Sequence, residues 1–392
     1  MKSLSDVFRV MMYEYRSILY DLSILVVMGG GIFLYGWLYN YMYSPNVLHE
    51  VPVAVVDESH TPLSRRCIRL LDATPQVEVH VQTAGMMEAR RQMQQGEVHG
   101  IVFLPSDFDV RVGRGEEAVF IAYNTTMTFL YYAALQEAVS GTMLALDDEI
   151  RPRQIVFLQS DVVQSVVQTR SIGVQGIALY NADSGYADYL IPAVLMVILF
   201  QTMLMVIGMR CGTEYEQRMT SLLQVTGNCL SWKGTVSIVL GKALVYVSFY
   251  VVFSIFLLGL LPSVYHLPHD VSPWTLVQLM IPYLFATAFF GLACSPFFKD
   301  AEAPLLLIAF FSVGLLFLSG ISYPLELMPW PWRALHYLIP APVGVLAFIQ
   351  TNSMGASLAD VQGEWLTLWI QCMVYFGLAC LAYRKTLRLS SI

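Results

Sequence analysis

The hydrophobic positions divide the chain into long apolar stretches and one polar stretch. A helix that crosses a bilayer needs about 20 mostly apolar residues, and six stretches reach about that length. A polar stretch, residues 44–183, separates the first of them from the other five. The pattern therefore predicts an α-helical membrane protein with one inserted domain. The six predicted spans are residues 22–42, 188–209, 235–261, 274–296, 303–322 and 365–383.

The start of the chain predicts an amphipathic elbow helix. Apolar residues recur at helical spacing, which is typical of a helix lying along a membrane surface. Residues 1–21 are therefore assigned to this helix and residues 22–43 to the first span. The elbow helix is either a plain interfacial anchor or a docking element for a soluble partner. The apolar positions are 7, 8, 11, 12, 15, 18 and 19, with Asp6, Arg9, Glu14 and Arg16 on other faces.

Residues 44–183 read as a small α/β domain. Four short β-type stretches alternate with helical ones, which favours a parallel or mixed sheet. Residues 184–392 then form a transmembrane domain with five further spans. The predicted strands are residues 51–57, 76–82, 99–105 and 118–124, and the predicted helices are 63–71, 86–96 and 126–148.

Residues 323–350 are apolar but are broken by prolines, among them Pro324, Pro329 and Pro340. They are too interrupted for a straight span, because proline removes a helical hydrogen bond. We expect two short helices that enter the membrane from the outer side and return. The alternative is an interfacial loop anchored by Trp330 and Trp332.

Composition and charge narrow the class of protein. Charged residues make up 13% of the chain, about half the share in soluble proteins, which argues against an ordinary soluble enzyme. The net charge of −7 argues against nucleic-acid binding. With the N-terminus inside, 11 Lys and Arg lie in the inner segments and only Arg333 in the short outer loops. This asymmetry places both termini inside and residues 44–183 outside.

Catalytic and metal-binding patterns are missing from the sequence. Asp57, His60 and Ser64 resemble part of a triad, but a turn with capping side chains is the favoured interpretation. The six cysteines show no metal-ligand spacing. Gly241 and Lys242 precede an alanine instead of the Ser or Thr of a phosphate-binding loop. We therefore predict no catalytic residue, no metal and no bound cofactor in this chain.

Polar residues in the spans are few. The near absence of charge in the span interiors argues against a proton-driven pump and a cation channel. Gln201 and Thr202 lie midway along the second span, where they line a path or bond to a neighbouring helix. In the inner loop, about residues 210–233, Glu214 and Glu216 are either solvated or paired with basic residues of a partner.

The order of elements and several motifs resemble the ABC-2 type permease family, in the branch of bacterial exporters with a large external domain. The order is elbow helix, one span, large outer domain, five spans and a proline-rich outer re-entrant segment. The resemblance covers nearly the whole chain. The motifs are EYRSILYD (14–21), VPVAVVDESHTPLSRRCIRLLDATPQVEV (51–79), GEVHGIVFLPSDF (96–108), LYNADSGYADYLIP (179–192), LGKAL (240–244) and SGISYPLELMP (319–329).

The resemblance implies a bacterial inner-membrane exporter in which two permease subunits, as a homodimer or heterodimer, each dock a separate ATP-binding subunit. ATP and Mg²⁺ would then be bound by that partner. A periplasmic adaptor and an outer-membrane channel are further partners in this branch. The chain departs from the family's loop motif at Arg218, Met219 and Gly227. The residues implied to couple to the ATPase are Glu14, Arg16, Asp21, Glu214, Glu216, Leu222, Leu223 and Thr226.

The function expected from the sequence is export of an amphipathic or hydrophobic molecule, driven by the partner's ATP hydrolysis. The alternative is a membrane-anchored scaffold or sensor that presents residues 44–183 to a partner and needs no ATPase. An integral membrane enzyme acting on lipid is disfavoured, because it would need a cluster of polar catalytic groups near the membrane surface.

Overall fold

A computed structural model describes residues 2–43, 48–83, 85–114, 116, 118–124, 129–157, 186–217, 231–265, 267, 269 and 271–390. These residues fall into two compact units. The membrane unit comprises Met1–Ser44 and Ala187–Ile392, and the α/β unit comprises Pro45–Tyr186.

Two helices begin the membrane unit: α1, Lys2–Tyr20, and α2, Leu22–Met42. Asp21 separates them in an extended conformation. Its carboxylate accepts the backbone N–H groups of Ser23 at 3.0 Å and Ile24 at 3.3 Å, which satisfies donors that the first turn of a helix leaves unpaired. Asp21 therefore ends α1 and begins α2.

The α/β unit contains a four-stranded sheet. Its strands are β1, Val51–Asp57; β2, Val77–Thr83; β3, Gly100–Leu104; and β4, Ile121–Asn124. Their order is β2-β1-β3-β4. The first three strands are parallel and β4 runs antiparallel to β3, so the sheet is of the mixed type.

In the described part of the unit, four helices accompany this sheet: α3, Pro62–Asp72; α4, Met86–Gln95; α5, Phe108–Arg114; and α6, Phe129–Phe157. The sequence pattern did not predict α5. Central strand β1 is covered on both faces: Val53 packs in one cluster with α3 and α6, and Val56 in another with α4. This two-sided burial explains why β1 is apolar at nearly every position.

The triad-like residues form a turn, as favoured from the sequence. The buried Ser64 hydroxyl donates directly to the Asp57 carboxylate at 2.7 Å. His60 contributes its backbone N–H to Asp57 at 3.0 Å, and Thr61 caps α3 together with Ser64. The hydroxyl of Ser64 is thus held in a capping network.

Seven more helices of the membrane unit lie among the described residues. The first three are long. They are followed by three shorter helices and a long final one. Their bounds are α7, Tyr186–Glu216; α8, Trp232–Tyr265; α9, Pro273–Ala293; α10, Ala303–Leu318; α11, Trp330–Leu338; α12, Pro340–Ser353; and α13, Gln362–Ser390.

Among the described residues, α2, α7, α8, α9 and α13 are long and apolar enough to cross a membrane. The count becomes six if α11 and α12, which meet at 86°, form one span. Helix α10 has 16 residues, or about 24 Å of helix, against a bilayer core of about 30 Å. The sequence predicts a span at 303–322, but the helix ends four residues earlier, at Leu318. Gly320, at φ 90°, adopts a left-handed conformation that ends the helical path.

Side-chain hydrogen bonds hold the break between α11 and α12. Gln371 of α13 donates to the carbonyl of Tyr337 at 2.8 Å, and Tyr375 donates to the carbonyl of Leu338. The buried His336 ring bonds the carbonyl of Leu318, at the end of α10, at 2.7 Å. The carbonyls that the break leaves unpaired are therefore satisfied, as an apolar environment requires.

Candidate functional site: a buried ion cluster

Four charged side chains meet where α1, α7 and α8 come together. Glu14 lies on α1, Arg210 and Glu214 on α7, and Lys242 on α8. Their exposed fractions are 0%, 4%, 1% and 0%. We call these four residues the ion cluster. Buried ionisable residues in a membrane protein are costly, so their presence indicates function.

Lys242 is the centre of the ion cluster. Its Nζ donates to Oε2 of Glu14 at 2.8 Å and to Oε1 of Glu214 at 2.5 Å. The Arg210 guanidinium donates to Glu214 at 3.3 Å, and its Nε lies 3.7 Å from Oε1 of Glu14. Tyr246 donates its hydroxyl to Glu14. Two cations thus face two carboxylates, which leaves the cluster neutral when all four groups are ionised.

Helical spacing brings these groups together. Arg210 and Glu214 are four residues apart on one face of α7, and Lys242 and Tyr246 have the same spacing on α8. Gly241 allows α1 to approach α8, since a Cβ there would lie 2.9 Å from Val10 and 3.1 Å from the carbonyl of Val7. The LGKAL stretch therefore supplies both the close packing and the cation.

The ion cluster is held by charge and by aromatic rings. Burial alone would raise the pKa of Glu14. The charges of Lys242 and Arg210, with the hydrogen bonds from Lys242 and Tyr246, outweigh burial and hold that pKa below its usual range. The Arg210 guanidinium lies 5.9 Å from the ring centre of Tyr13, and Lys242 lies 6.0 Å from that of Tyr383. Such contacts stabilise buried cations.

The arrangement of the ion cluster supports a mechanical role, in which the charges hold helices together. Every charged group in it is engaged by another, and no group of His, Cys, Asp and Glu among the described residues could hold a metal ion. Removing one member of a buried ion pair costs about 3–5 kcal/mol. The cluster therefore fixes α1 against α7 and α8, and separating them would expose unpaired charges.

The structure corrects the expected face of Glu14. The spacing of apolar residues predicts that Glu14 lies on a face of the elbow helix other than the apolar one. Instead, Val10, Glu14 and Ile18 form the fully buried stripe. Phe8, from the expected apolar face, is 63% exposed. The signal that could have found this is the spacing of Glu14 four residues from both Val10 and Ile18, together with a lysine inside an apolar span that needs an anion.

Of the other residues implied to couple to an ATPase, the described ones, Arg16, Asp21 and Glu216, lie apart from the ion cluster. Asp21 caps α2, and Arg16 is exposed. Glu216 is exposed at the end of α7, where it accepts the backbone N–H of Ala301 at 3.2 Å. Leu222, Leu223 and Thr226, with the departures at Arg218, Met219 and Gly227, lie outside the described residues.

The candidate path residues on α7 have different surroundings. Thr202 is buried and donates its hydroxyl to the carbonyl of Ile198 at 2.7 Å. Its methyl group lies 3.5 Å from where a Cβ of Gly31 would stand, so Thr202 packs α7 against α2. Gln201 is half-buried.

The prolines of the segment 323–350 lie at helix starts. Pro324 precedes a short turn at Leu325–Leu327, Pro329 precedes α11, and Pro340 is the first residue of α12. Proline fits these positions because the first turn of a helix needs no N–H bond. They shape the two helices of the bent pair.

A cavity of about 720 Å³ lies beside α10 in the membrane unit. Its wall is apolar and includes several aromatic rings. Gln201 and Thr202 do not line it, but their neighbour Phe200 does. The volume falls within the range of small-molecule sites. Other lining residues are Leu204 of α7, Phe290 of α9, Phe311 and Leu315 of α10, and Trp332 of α11.

Comparison with protein-family models matches residues 15–381 to the family described as ABC-2 family transporter protein. The match spans nearly the whole chain, including Arg210, Glu214 and Lys242. The chain belongs to the ABC-2 transporter family. Among curated proteins, none matches it. The permease is a multi-pass membrane component of ABC-type transport, and members of this family are not themselves catalytic.

Proposed function

We propose that the permease is the membrane subunit of an ATP-driven exporter. It pairs with a second permease subunit, and each docks an ATP-binding subunit that holds ATP and Mg²⁺. Both termini and the loop at about 210–233 lie in the cytoplasm of a bacterium, and residues 44–183 lie in the periplasm. That domain is available to a periplasmic adaptor and an outer-membrane channel. The family match supports the transport role and the ATP-binding partner.

The ion cluster is the observation that carries this proposal. The resemblance assigns the ATPase contacts to the elbow helix and the inner loop. Glu14 ties the elbow helix to α8, and Glu214 lies at the end of α7 that leads into that loop. Movement of the ATP-binding subunits against either element would thus reach two spans. A change of conformation then follows from the different affinities of the ATP-bound and ATP-free states.

The apolar cavity supports an amphipathic or hydrophobic substrate. A charged group would find no partner among its lining side chains, and burying an unpaired charge is unfavourable. Phe200 and Leu204 of α7 lie on its wall. Helix α7 also carries Arg210 and Glu214, so the same helix connects the ion cluster with the cavity.

Co-purification tests the proposal directly. The tagged permease is extracted from its source cells in mild detergent, and its companions are identified by mass spectrometry. We expect a soluble ATP-binding subunit at equal stoichiometry, and a different permease chain in addition if the pair is a heterodimer. Recovery without an ATPase in several mild detergents would contradict the exporter and favour the scaffold or sensor.

A coupling measurement then tests the role of the ion cluster. The complex is placed in proteoliposomes, and ATP hydrolysis is compared with movement of a lipophilic dye. We expect Glu14→Gln to keep the ATP-binding subunit bound while dye movement per ATP falls at least fivefold. Arg9→Gln, an exposed change on the same helix, is the matched control and should keep the wild-type ratio. Equal ratios in both variants would remove the ion cluster from the coupling path.

A further inference from the structure

A shallow groove runs along the surface between α8 and α13. It has a volume of about 480 Å³ and is lined by apolar side chains. From α8 come Trp232 and Val236, and from α13 come residues between Met373 and Leu381. We call it the α8–α13 groove. The two helices carry almost no carboxylates of their own. Helix α8 has none, and α13 has only Glu364, near its start.

The groove has the dimensions of one hydrocarbon chain. From Met373 to Arg384 the helix rises about 16 Å. Met373 is 74% exposed and Leu381 is 55% exposed, so the walls are open to the surroundings. Gly377 lies between them, and a Cβ there would have no atom within 4 Å. The missing side chain leaves room along the middle of the groove.

A cluster of cations lies at one end of the groove. The Arg384 guanidinium sits 4.5 Å from the ring centre of Trp232. Its Nε is buried and has no hydrogen-bond partner among the described residues. Lys233, which follows Trp232 in the sequence, and Lys385, which follows Arg384, are both exposed. No ion pair in the described part of the chain includes Arg384, Lys233 or Lys385.

The distribution of charge identifies the occupant. Helix α8 begins here and α13 ends here, at the level where a span meets the membrane surface. Glu364 is 20 residues before Arg384, or about 30 Å along α13, so no acid of these two helices balances the cations. Basic sites at the ends of spans bind anionic headgroups, and Trp232 is of the type found at that depth.

We infer that the α8–α13 groove binds one anionic phospholipid. Its acyl chain lies in the groove over Gly377, and its phosphate pairs with Arg384, Lys385 and Lys233. The Nε–H of Arg384 gains the acceptor that the described residues do not provide. This site does not depend on the ATP-binding partner.

Lipid retention tests the inference without any ATPase. The purified permease is exchanged into mixed vesicles of phosphatidylglycerol and phosphatidylcholine, extracted gently, and weighed by native mass spectrometry. We expect one phosphatidylglycerol to be retained at least tenfold over phosphatidylcholine. Arg384→Gln with Lys385→Gln should reduce that preference about tenfold. Lys299→Gln, an exposed cation elsewhere, should leave it unchanged.

A second pair of variants tests the tail. Gly377→Leu fills the groove, whereas Gly259→Leu adds the same side chain to α8 at another position with open space. We expect only Gly377→Leu to lower phosphatidylglycerol retention, by at least fivefold, with elution and thermal unfolding in detergent like those of the wild type. Equal retention of both lipids by the wild type overturns the inference. Unchanged phosphatidylglycerol retention in the Arg384→Gln, Lys385→Gln variant, or in Gly377→Leu, overturns it as well. A change in oligomeric mass instead of bound lipid also overturns it, since the groove would then join two copies.

Discussion

Nζ of Lys242 lies 2.8 Å from Oε2 of Glu14, although 228 positions separate them in the chain. Both side chains are fully buried. An ion pair of this kind stabilises α1 on α8 only while both members are present. It makes α1 part of the membrane unit rather than a helix that merely rests on a lipid surface.

The first prediction concerns the cation of this pair. Lys242→Met leaves Glu14 and Glu214 buried with Arg210 as their only cation, and losing one partner of a buried pair costs about 3–5 kcal/mol. We expect a clear fall in the thermal unfolding midpoint in detergent. Lys233→Met, an exposed change on the same helix, should shift stability by no more than about 0.5 kcal/mol.

The pairing itself is checked by a double-mutant cycle. Glu14→Gln and Lys242→Met are measured singly and together. Because the two residues touch, we expect the double variant to lose less stability than the sum of the single losses, with a coupling of about 0.5–3 kcal/mol. Simple additivity would contradict a direct pair.

The second prediction separates two glutamates at the end of α7. Glu214 is 1% exposed and bound to Lys242 and Arg210, whereas Glu216 is exposed. Glu214→Arg would bury an extra cation, so we expect poor folding and low yield. Glu216→Arg should fold normally and lower ATP-driven transport, because its charge is accessible to a partner. Yield, unfolding midpoint and transport are measured for both variants.

Each of the two substitutions has its own check. Glu214→Gln keeps the size of the side chain and should recover part of the yield. If Glu216→Arg leaves transport unchanged while the ATPase stays bound, that residue does not contribute to coupling.

The third prediction tests the close approach of α1 to α8. Gly241→Leu would place its Cβ 2.9 Å from Val10, and overpacking of this kind costs about 1–3 kcal/mol. We expect easier proteolysis of α1 and a lower unfolding midpoint. Gly259→Leu, on the same helix with open space around it, should behave as wild type. Identical proteolysis of both variants would contradict the packing of α1 on α8.

The fourth prediction concerns the thiol in the α/β unit. Burial, and then the charge of Asp57, raise the pKa of Cys67 to about 12. The thiolate is the reactive form, so at pH 8 Cys67 should react with a maleimide only after unfolding. Since the folded pKa is raised, the thiol favours the folded state below its ordinary pKa, and this contribution is lost as the pH rises toward 12.

Labelling of Cys67 is followed by mass spectrometry of peptides from the α/β unit. Met87→Cys, at a position that is 86% exposed, supplies a reactive thiol in the same unit. Rapid labelling of Cys67 in the folded protein would show that its burial is transient.

Local patterns predicted much of the fold. The strands β1 to β3 fall within about a residue of the sequence assignment, because each has a clear local pattern bounded by turn residues. The pattern is an apolar stretch in β1 and β3, and an alternation of apolar and polar residues in β2. The α7, α8, α9 and α13 helices were found from apolar length alone. The end of α10 was missed, because the apolar pattern continues past Ser319 while the backbone turns at Gly320. Helix α5 was missed because it is only seven residues long.

The candidate site was predicted only in part. Glu14 and Glu214 were named, but as residues exposed to a partner, since the family resemblance gives a role without a geometry. Lys242 was considered only as a residue that does not complete a phosphate-binding loop. Its pairing depends on how α1 packs at Gly241, and no local pattern records that distance.

The sequence by itself determined that this protein is a multi-pass membrane protein with an inserted α/β stretch. The reason is that apolar length and strand alternation are local properties, each readable within about 20 residues. Only the tertiary structure decided which charges are buried and with which partners. A buried ion must be matched by groups that lie near it in space, and for Glu14 those groups come from helices about 200 residues further along the chain.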